Sequence, residues 1–515
     1  MTMNKFLYIC LVLLLCNLSA LAQDEMTGES QYRYDDATQL WRLTNNAAAL
    51  GLDSTRNRGY AQFNYEHTEG DYSRVQEGDL SNQLRFQTER YQKIGKYLQG
   101  YGSFNFDYGR LKNRAWADVM RPYNANPYFA GSSIGGNYDF QDFDFTAALG
   151  TTQFGHWRFG VRLDYKVGDL SRLRDPRSRS QLLDYRLSPA VTYTKGKHTL
   201  GLSGNYHRRK EKIIGLTTVQ KDPNLKYYLM SGMEHANGTV GGYSSYWREW
   251  VDHRFGGELT YAYKNGGNQH HASAFIERGA ENAYGQYKYE SGKYISYRYG
   301  LDLRNRIQTD RLLHEADLHV DFEQAYADEY RQQLNVENEA QTGFTSYSYS
   351  NVLIYKKRYQ VKVLNLDIHY RANFISENKV NGYVGAHITY NNTKNTHLLP
   401  TSSLHYNGSN FTVEGGLPFF GQRLWLDAAA TFHLNTTADL SLADPTTEYA
   451  QSVLLPDQPY YAANYWRGHL SLTYQFPIRI KQSRSTWFVR AYGDYLRTNN
   501  SLNTSTIGVS IGLFN

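Results

Sequence analysis

The sequence predicts an all-β protein: a transmembrane, antiparallel, up-and-down β-barrel of roughly 18 strands, or 16 if the weakest stretches are not strands, with a short N-terminal segment in or under the lumen. Three observations carry that prediction. The chain closes on an alternating stretch with branched aliphatics on one side only. Similar alternation recurs along the chain, and no apolar run of helix-spanning length follows the first residues. The connections between alternating stretches are sorted, short ones taking turns with long ones, as they do when turns lie on one side of a membrane and loops on the other.

At the N-terminus, Lys5 precedes an apolar run from Phe6 to Leu15 and the small-residue site Ala20-Leu21-Ala22-Gln23. This reads as a secretory signal peptide over residues 1–22, cut after Ala22. The apolar run is shorter than the roughly 20 residues that span a bilayer. Both cysteines, Cys10 and Cys16, lie within residues 1–22, so the mature chain offers no disulfide and no cysteine-based metal site. Residues 23–58 form a separate N-terminal segment. In it, Asn45-Asn46-Ala47-Ala48-Ala49-Leu50-Gly51 predicts one short helix, capped by an asparagine and stopped by Gly51, placed inside or beneath the barrel.

Residues 59–515 are the barrel. Its clearest strand sets Trp157, Phe159, Val161, Leu163, Tyr165 and Val167 on one face and Arg158, Arg162, Asp164 and Lys166 on the other. A one-residue slip would turn those charges to lipid, at roughly 2–4 kcal/mol for each basic group near the midplane. The same alternation appears at Leu98 to Tyr108, at Leu364 to Tyr370 and at Leu424 to Phe432. Short turns fall near residues 92–96, 151–155, 194–197, 265–268, 309–311, 376–379, 419–423 and 478–485. Long connections fall at 109–133, 208–252, 323–342 and 435–463. Trp157 and Trp487 each follow a short turn on the apolar face, which places them in a periplasmic aromatic girdle. Trp425 also follows a short turn but has the opposite parity to Leu424 and Leu426, which aims it at the lumen.

Composition agrees with a barrel. The chain has 46 tyrosines in 515 residues and a mean hydropathy of -0.64, as expected when only alternate residues meet lipid. A net charge of +6 without a basic helical stripe gives no case for nucleic acid. No cofactor, metal or enzymatic motif emerges: His270 and His271 are strand neighbours facing opposite ways, and the glycine pairs precede no helix.

The inward charges are the candidate functional residues. Arg158, Arg162 and Lys166 line one strand and Arg298 and Arg304 another, and the next presents Glu315, Asp317 and Asp321. Opposite charges on adjacent strands predict ion pairs inside the lumen, or a field that selects charged solutes. The loop aromatics Tyr243, Tyr246, Trp247 and Trp250 suggest a cap or a binding surface. The basic run His207-Arg208-Arg209-Lys210, with Lys212, is a solvated face or a contact for lipopolysaccharide phosphates.

In the last strand, Ile507, Val509, Ile511 and Leu513 face outward and Thr506, Gly508, Ser510 and Gly512 inward. The spacing Thr506-x-Gly508-x-x-Ile511-x-Leu513 resembles the C-terminal signal of bacterial outer-membrane proteins. Phe514 falls out of phase and is expected at the periplasmic rim, below the lipid-facing stripe. The segment from Leu40 to Ala48, the cleavage site and the tyrosine-rich strands together resemble uncharacterised outer-membrane barrels of the Bacteroidota. The Asn45-Asn46-Ala47-Ala48 piece is also similar to the Asn-Pro-Ala segment of fatty-acid transport barrels, with Asn46 in place of the proline. The resemblance implies the outer membrane of a Gram-negative bacterium and work beside nutrient-uptake receptors. Two functions are therefore expected in competition. One is passive or facilitated passage of small solutes. The other is a non-conducting accessory barrel that docks a surface lipoprotein or a TonB-dependent receptor. The remaining partners are outer-membrane lipid and lipopolysaccharide.

Overall fold

Strand follows strand around a closed ring in which every neighbour is antiparallel. The computed structural model describes residues 28–41, 44–53, 57–219, 226–240, 246–338, 343–480 and 483–515. Residues 1–22, expected from the sequence to be a signal peptide, lie outside them. The strands in chain order are β1 (Arg58–Gly70), β2 (Leu80–Ile94), β3 (Leu98–Arg114), β4 (Ala130–Gly131), β5 (Gly136–Thr151), β6 (Trp157–Arg172) and β7 (Arg177–Lys195). Next come β8 (His198–Thr217), β9 (Lys226–Gly232), β10 (His235–Val240), β11 (Trp247–Asn265), β12 (Asn268–Gly285), β13 (Glu290–Gln308) and β14 (Leu312–Asn338). The series ends with β15 (Thr345–Ser376), β16 (Lys379–His397), β17 (Ser402–Phe419), β18 (Leu424–Ser441), β19 (Tyr465–Ile480), β20 (Ser483–Thr498) and β21 (Asn503–Phe514).

Eighteen of these form one sheet, and β4, β9 and β10 form a separate small one. The barrel closes where β21 pairs with β1, Ile511 opposite Phe63 and Val509 opposite Tyr65. Reciprocal backbone bonds between Gly59 and Asn515, at 2.8 and 2.9 Å, seal the end of that seam.

The outer face is an apolar belt. In β21, Ile507, Val509 and Ile511 are exposed, while Ser510 is buried inside. The small inward residues make room for neighbours: a Cβ on Gly508 would sit 2.1 Å from the Tyr492 ring, and one on Gly512 2.5 Å from Phe488. Aromatics mark both ends of the belt. Trp157 packs on Tyr193 near one set of turns, and Trp466 on Tyr495 near the other. Trp425 points inward and is fully buried, as its parity requires. Phe514 lies at the end of the closing strand, but it turns into the lumen against Phe488 and Tyr32.

The expected short turns are all present, though residues 481–482 of the last lie outside the described residues. The long connections are shorter than expected because strands outrun the belt. Residues 323–342 were expected to be loop, yet β14 continues to Asn338 and β15 starts at Thr345. Apolar alternation reports only the lipid-facing zone, and beyond it tyrosine, serine and threonine keep the chain extended without an apolar signal.

The N-terminal segment holds a helix the sequence pattern does not announce, α1 (Glu29–Thr38). It is polar all round, so no apolar stripe reveals it. The alanine piece forms a 3-10 turn over Ala47–Leu52, and the Asn46 side chain makes no capping bond. A π-helical turn (Ala450–Leu454) runs into α2 (Leu455–Ala462) between β18 and β19.

Candidate functional site

The lumen is occupied at both ends, by different chemistry. At the turn end, the N-terminal segment crosses the barrel and is bound to the wall by polar groups. Arg33 of α1 sends two hydrogen bonds of 2.9 Å to the Asp427 carboxylate on β18 and pairs with Glu29 at 2.9 Å. Its guanidinium lies 4.5 Å over the Trp425 ring. Glu29 accepts from Arg490 on β20 at 3.1 Å, and its backbone N–H donates to Gln475 at 2.9 Å. Arg306 donates to the Ala37 carbonyl at 2.7 Å and Arg304 to the Leu40 carbonyl at 3.3 Å. Asn45 donates to Glu258 at 2.9 Å. The 3-10 turn then lies against β5 and β6, where the wall is cut back to backbone: a Cβ on Gly150 would meet the Ala47 carbonyl at 2.3 Å, and one on Gly160 the Ala48 nitrogen at 2.3 Å. The segment therefore runs from β18 and β20 past β13 and β11 to β6 as a plug.

Beside α1 lie two cavities. One of about 340 Å³ is lined by Tyr32, Arg33, Glu315, Arg371 and Tyr383 among others. The other, about 400 Å³, is lined by Asn64, Arg85, Asp427, His469 and Tyr492 among others. Glu29, Arg33, Tyr383 and Arg490 line both, so the charge network that holds the plug is also the partition between them.

At the loop end the occupant is an apolar lid. Residues 115–135 turn inward, and β4 joins β9 and β10. Trp116 packs on Tyr228 and Tyr449 at 4.5 and 5.2 Å. Tyr128, Ile213, Tyr227, Trp250, Tyr294 and Val361 belong to one buried cluster. Arg74 stacks 3.5 Å over Tyr123. Asp457 of α2 accepts the Val75 N–H at 2.9 Å, and burial pushes its carboxyl up to about 7. Arg121, in the 115–135 segment, lies in the field of Arg209, Arg254 and Glu281.

The residues singled out from sequence are dispersed through this arrangement. Arg298 pairs with Asp321 at 2.5 Å across β13 and β14. Glu315 and Asp317 both pair with Arg306, at 3.3 and 2.5 Å. Lys166 reaches Asp142 at 3.2 Å. Arg162 pairs with Asp164 at 2.9 Å and reaches the Thr44 carbonyl of the plug at 3.5 Å. Arg304 pairs with Asp302 at 3.3 Å as well as holding the plug. Arg158 instead bonds Thr194 and Gln153, at 2.9 and 2.6 Å.

The aromatic group is corrected in part. Trp247 and Trp250 lie on β11, not in a loop, and Trp250 is a buried lid residue whose indole N–H donates to the Tyr128 carbonyl. Tyr246 packs on Tyr227 at 5.0 Å, and Tyr243 lies outside the described residues. The basic run is split by strand alternation: Arg209 is buried against Glu211, while Lys210 pairs on the outer face with Glu249 at 2.8 Å.

Sequence reasoning missed Glu29, Arg33, Asp427 and Arg490, the centre of the plug. The one available signal was Trp425, whose inverted parity asked for a lumenal partner.

The chain belongs to the family of unknown function DUF6850, whose model matches residues 47–515. A search of curated proteins returns no match. Among solved structures, the chain is similar to the copper transporter OprC (10% identity, TM-score 0.39, covering 88% of this chain and 80% of that one). It is also similar to the outer membrane protein OpdK from Pseudomonas aeruginosa (10%, 0.36, 89% and 99%). A third is the outer membrane transporter YddB from Escherichia coli (8%, 0.39, 90% and 81%). A likeness at this level is one of barrel architecture alone.

Proposed function

We propose that the protein is a gated outer-membrane barrel that passes small polar solutes once its N-terminal plug is displaced. The closed ring and its belt of exposed aliphatics, with aromatics at both ends, support a place in lipid, where all backbone groups must be paired within the wall. The single observation that carries the transport reading is the chemistry of the plug. It is fixed by the Arg33–Asp427 and Arg490–Glu29 contacts and by arginines on carbonyls, with polar cavities alongside. Such a segment leaves behind a wall that water can wet, whereas extraction of an apolar core would leave bare hydrocarbon.

The test is planar-bilayer conductance of the full chain and of a variant lacking residues 23–46. A closed full chain and a steadily conducting deletion variant support the reading. Silence from a folded, inserted deletion variant defeats it.

A second reading is favoured by the lid. Its buried cluster has the composition of a domain core and faces the outside of the cell if the turns face the periplasm. A permanently shut barrel that docks a surface lipoprotein or uptake receptor would use that rigidity. The same deletion variant separates the two, because an accessory barrel with a sealed lid stays silent after the plug is removed.

A further inference from the structure

The outer wall from β5 to β8 carries a groove of about 570 Å³, with Phe143, Val167 and Leu183 in its floor and Lys210 and Lys212 at its side. Its residues follow the rungs of the sheet. Phe143, Val167, Leu183 and Lys210 lie opposite one another in turn, and Gln141, Asp169, Gln181 and Lys212 form the next rung toward the loops. All share the parity of Phe145 and Tyr165, which are exposed on the belt. The groove therefore opens on the lipid side of the wall, away from the plug and the lid.

The strand sets its height. Leu200 is an exposed aliphatic close to the turn that opens β8, and Lys210 stands ten residues further along the same strand. At about 3.3 Å per residue and a tilt of about 40°, this is about 25 Å along the membrane normal, the height of the apolar band. Lys210 is thus at the loop-side edge of the belt, where acyl chains end and headgroups begin. Arg208 lies one outward position below it and Lys212 one above.

Charge at this edge is unbalanced. Arg179, Arg208, Lys210 and Lys212 stand against two carboxylates, and both carboxylates are taken: Asp169 by Arg179 at 2.7 Å and Glu249 by Lys210 at 2.8 Å. Among the described residues, Arg208 and Lys212 have no carboxylate partner, and the Arg208 Nε is buried without an acceptor. A cation on the lipid face is costly, and more so toward the midplane. Three on alternate residues of one strand call for an anion.

We propose that this groove binds the lipid A part of lipopolysaccharide. One acyl chain lies over Phe143, Val167 and Leu183, and a phosphate is held by Arg208 and Lys212, with Lys210 shared between it and Glu249. Two features select this occupant. The floor continues into the belt through Phe145, Tyr165 and Tyr185, so a chain enters it directly from the bilayer. The cations stand at the loop-side edge, which is the outer leaflet if the turns face the periplasm, and the lipid of that leaflet joins acyl chains to a phosphorylated sugar. The proposal rests on the outer-membrane reading and not on displacement of the plug.

The test is native mass spectrometry of the full chain in mild detergent, titrated with diphosphoryl lipid A and, in parallel, with its dephosphorylated form and with phosphatidylglycerol. A saturable one-to-one adduct with diphosphoryl lipid A is expected, at least about tenfold tighter than with either comparison lipid. An Arg208→Gln, Lys212→Gln variant is expected to lose at least about tenfold in affinity, the worth of one charge-assisted hydrogen bond, while keeping the barrel's heat-modifiable mobility. Val167→Trp fills the groove and leaves every charge in place. It is expected to weaken binding to a similar extent, and it carries the test if the double variant does not fold. No adduct, equal binding of either comparison lipid, or an adduct that either folded variant leaves unchanged overturns the proposal. Failure of the outer-membrane reading would show separately, as a chain that does not float with lipid vesicles.

Discussion

The two segments that occupy the lumen differ in what removing them would leave behind. The plug is tied down by charge: Arg33, Arg490, Arg306 and Arg304 on the carboxylates and carbonyls of Glu29 to Leu40 and the wall. The lid is packed, with Trp116, Tyr128, Tyr227 and Trp250 among its buried rings. Charge contacts partly open to water exchange readily for water and ions. Packed rings move together or not at all. On the proposed function, gating would lie at the turn end and rigidity at the loop end.

The largest test of that contrast is deletion of residues 23–46, which should convert a silent barrel into a conducting one. If the lid rather than the plug is the working seal, conductance will not appear. Next is Trp250→Ala. Loss of a fully packed indole costs about 3–5 kcal/mol, and it also leaves the Tyr128 carbonyl without its donor. Protease cleavage within residues 115–135 should rise by more than an order of magnitude, while the plug contacts stay intact. Cleavage unchanged from the parent chain would show that the lid is not one cooperative unit.

Arg33→Ala should act at the other end. The Arg33 and Asp427 side chains are 21% and 13% exposed, between surface and interior. Breaking their pair should cost about 2 kcal/mol, or about 30-fold in the equilibrium between seated and released plug. Single-channel recordings should show more frequent opening, and more so at high salt. The exchange Arg33→Asp with Asp427→Arg should restore part of the closed time. An exchange no better than Arg33→Ala would mean that the Trp425 stack, not the ion pair, holds the segment.

How much of this was legible in the sequence depends on which force placed each residue. Lipid enforces a period of two over the whole belt, so the strand count, the closing strand and the inward turn of Trp425 could all be read from parity. The β14–β15 hairpin beyond Glu329 and Tyr355 could not, because outside lipid the Ser-Tyr repeat of 346–349 keeps a strand without an apolar face. Nor could α1, where Arg33 meets Asp427 across 394 positions of sequence. Local pattern carries no trace of a partner that only barrel closure brings near. The ion pairs of β13 and β14 were legible for the opposite reason: Arg298 and Asp321 sit on consecutive strands, and alternation alone sets them on one face.

The smallest expected effect is also at the lid. Asp457 is 3% exposed on α2, and burial pushes its carboxyl up to about 7, against the pull of the Val75 N–H and Arg74. A carboxyl raised in the folded state favours the protonated form there. The lid is therefore tightest at acid pH, loses stability as pH rises from the ordinary carboxylate range toward 7, and changes little above that. Amide exchange at Val75 and across α2 should be faster at pH 8 than at pH 5.5, after correction for the intrinsic rate. Asp457→Asn keeps an oxygen for the Val75 N–H but cannot ionise, so its exchange should match the acid form at both pH values. Because the plug is held by other groups, conductance of the full chain should stay silent throughout this range. A barrel that opened as pH rose toward 7 would move the gate from the charged end to the packed one.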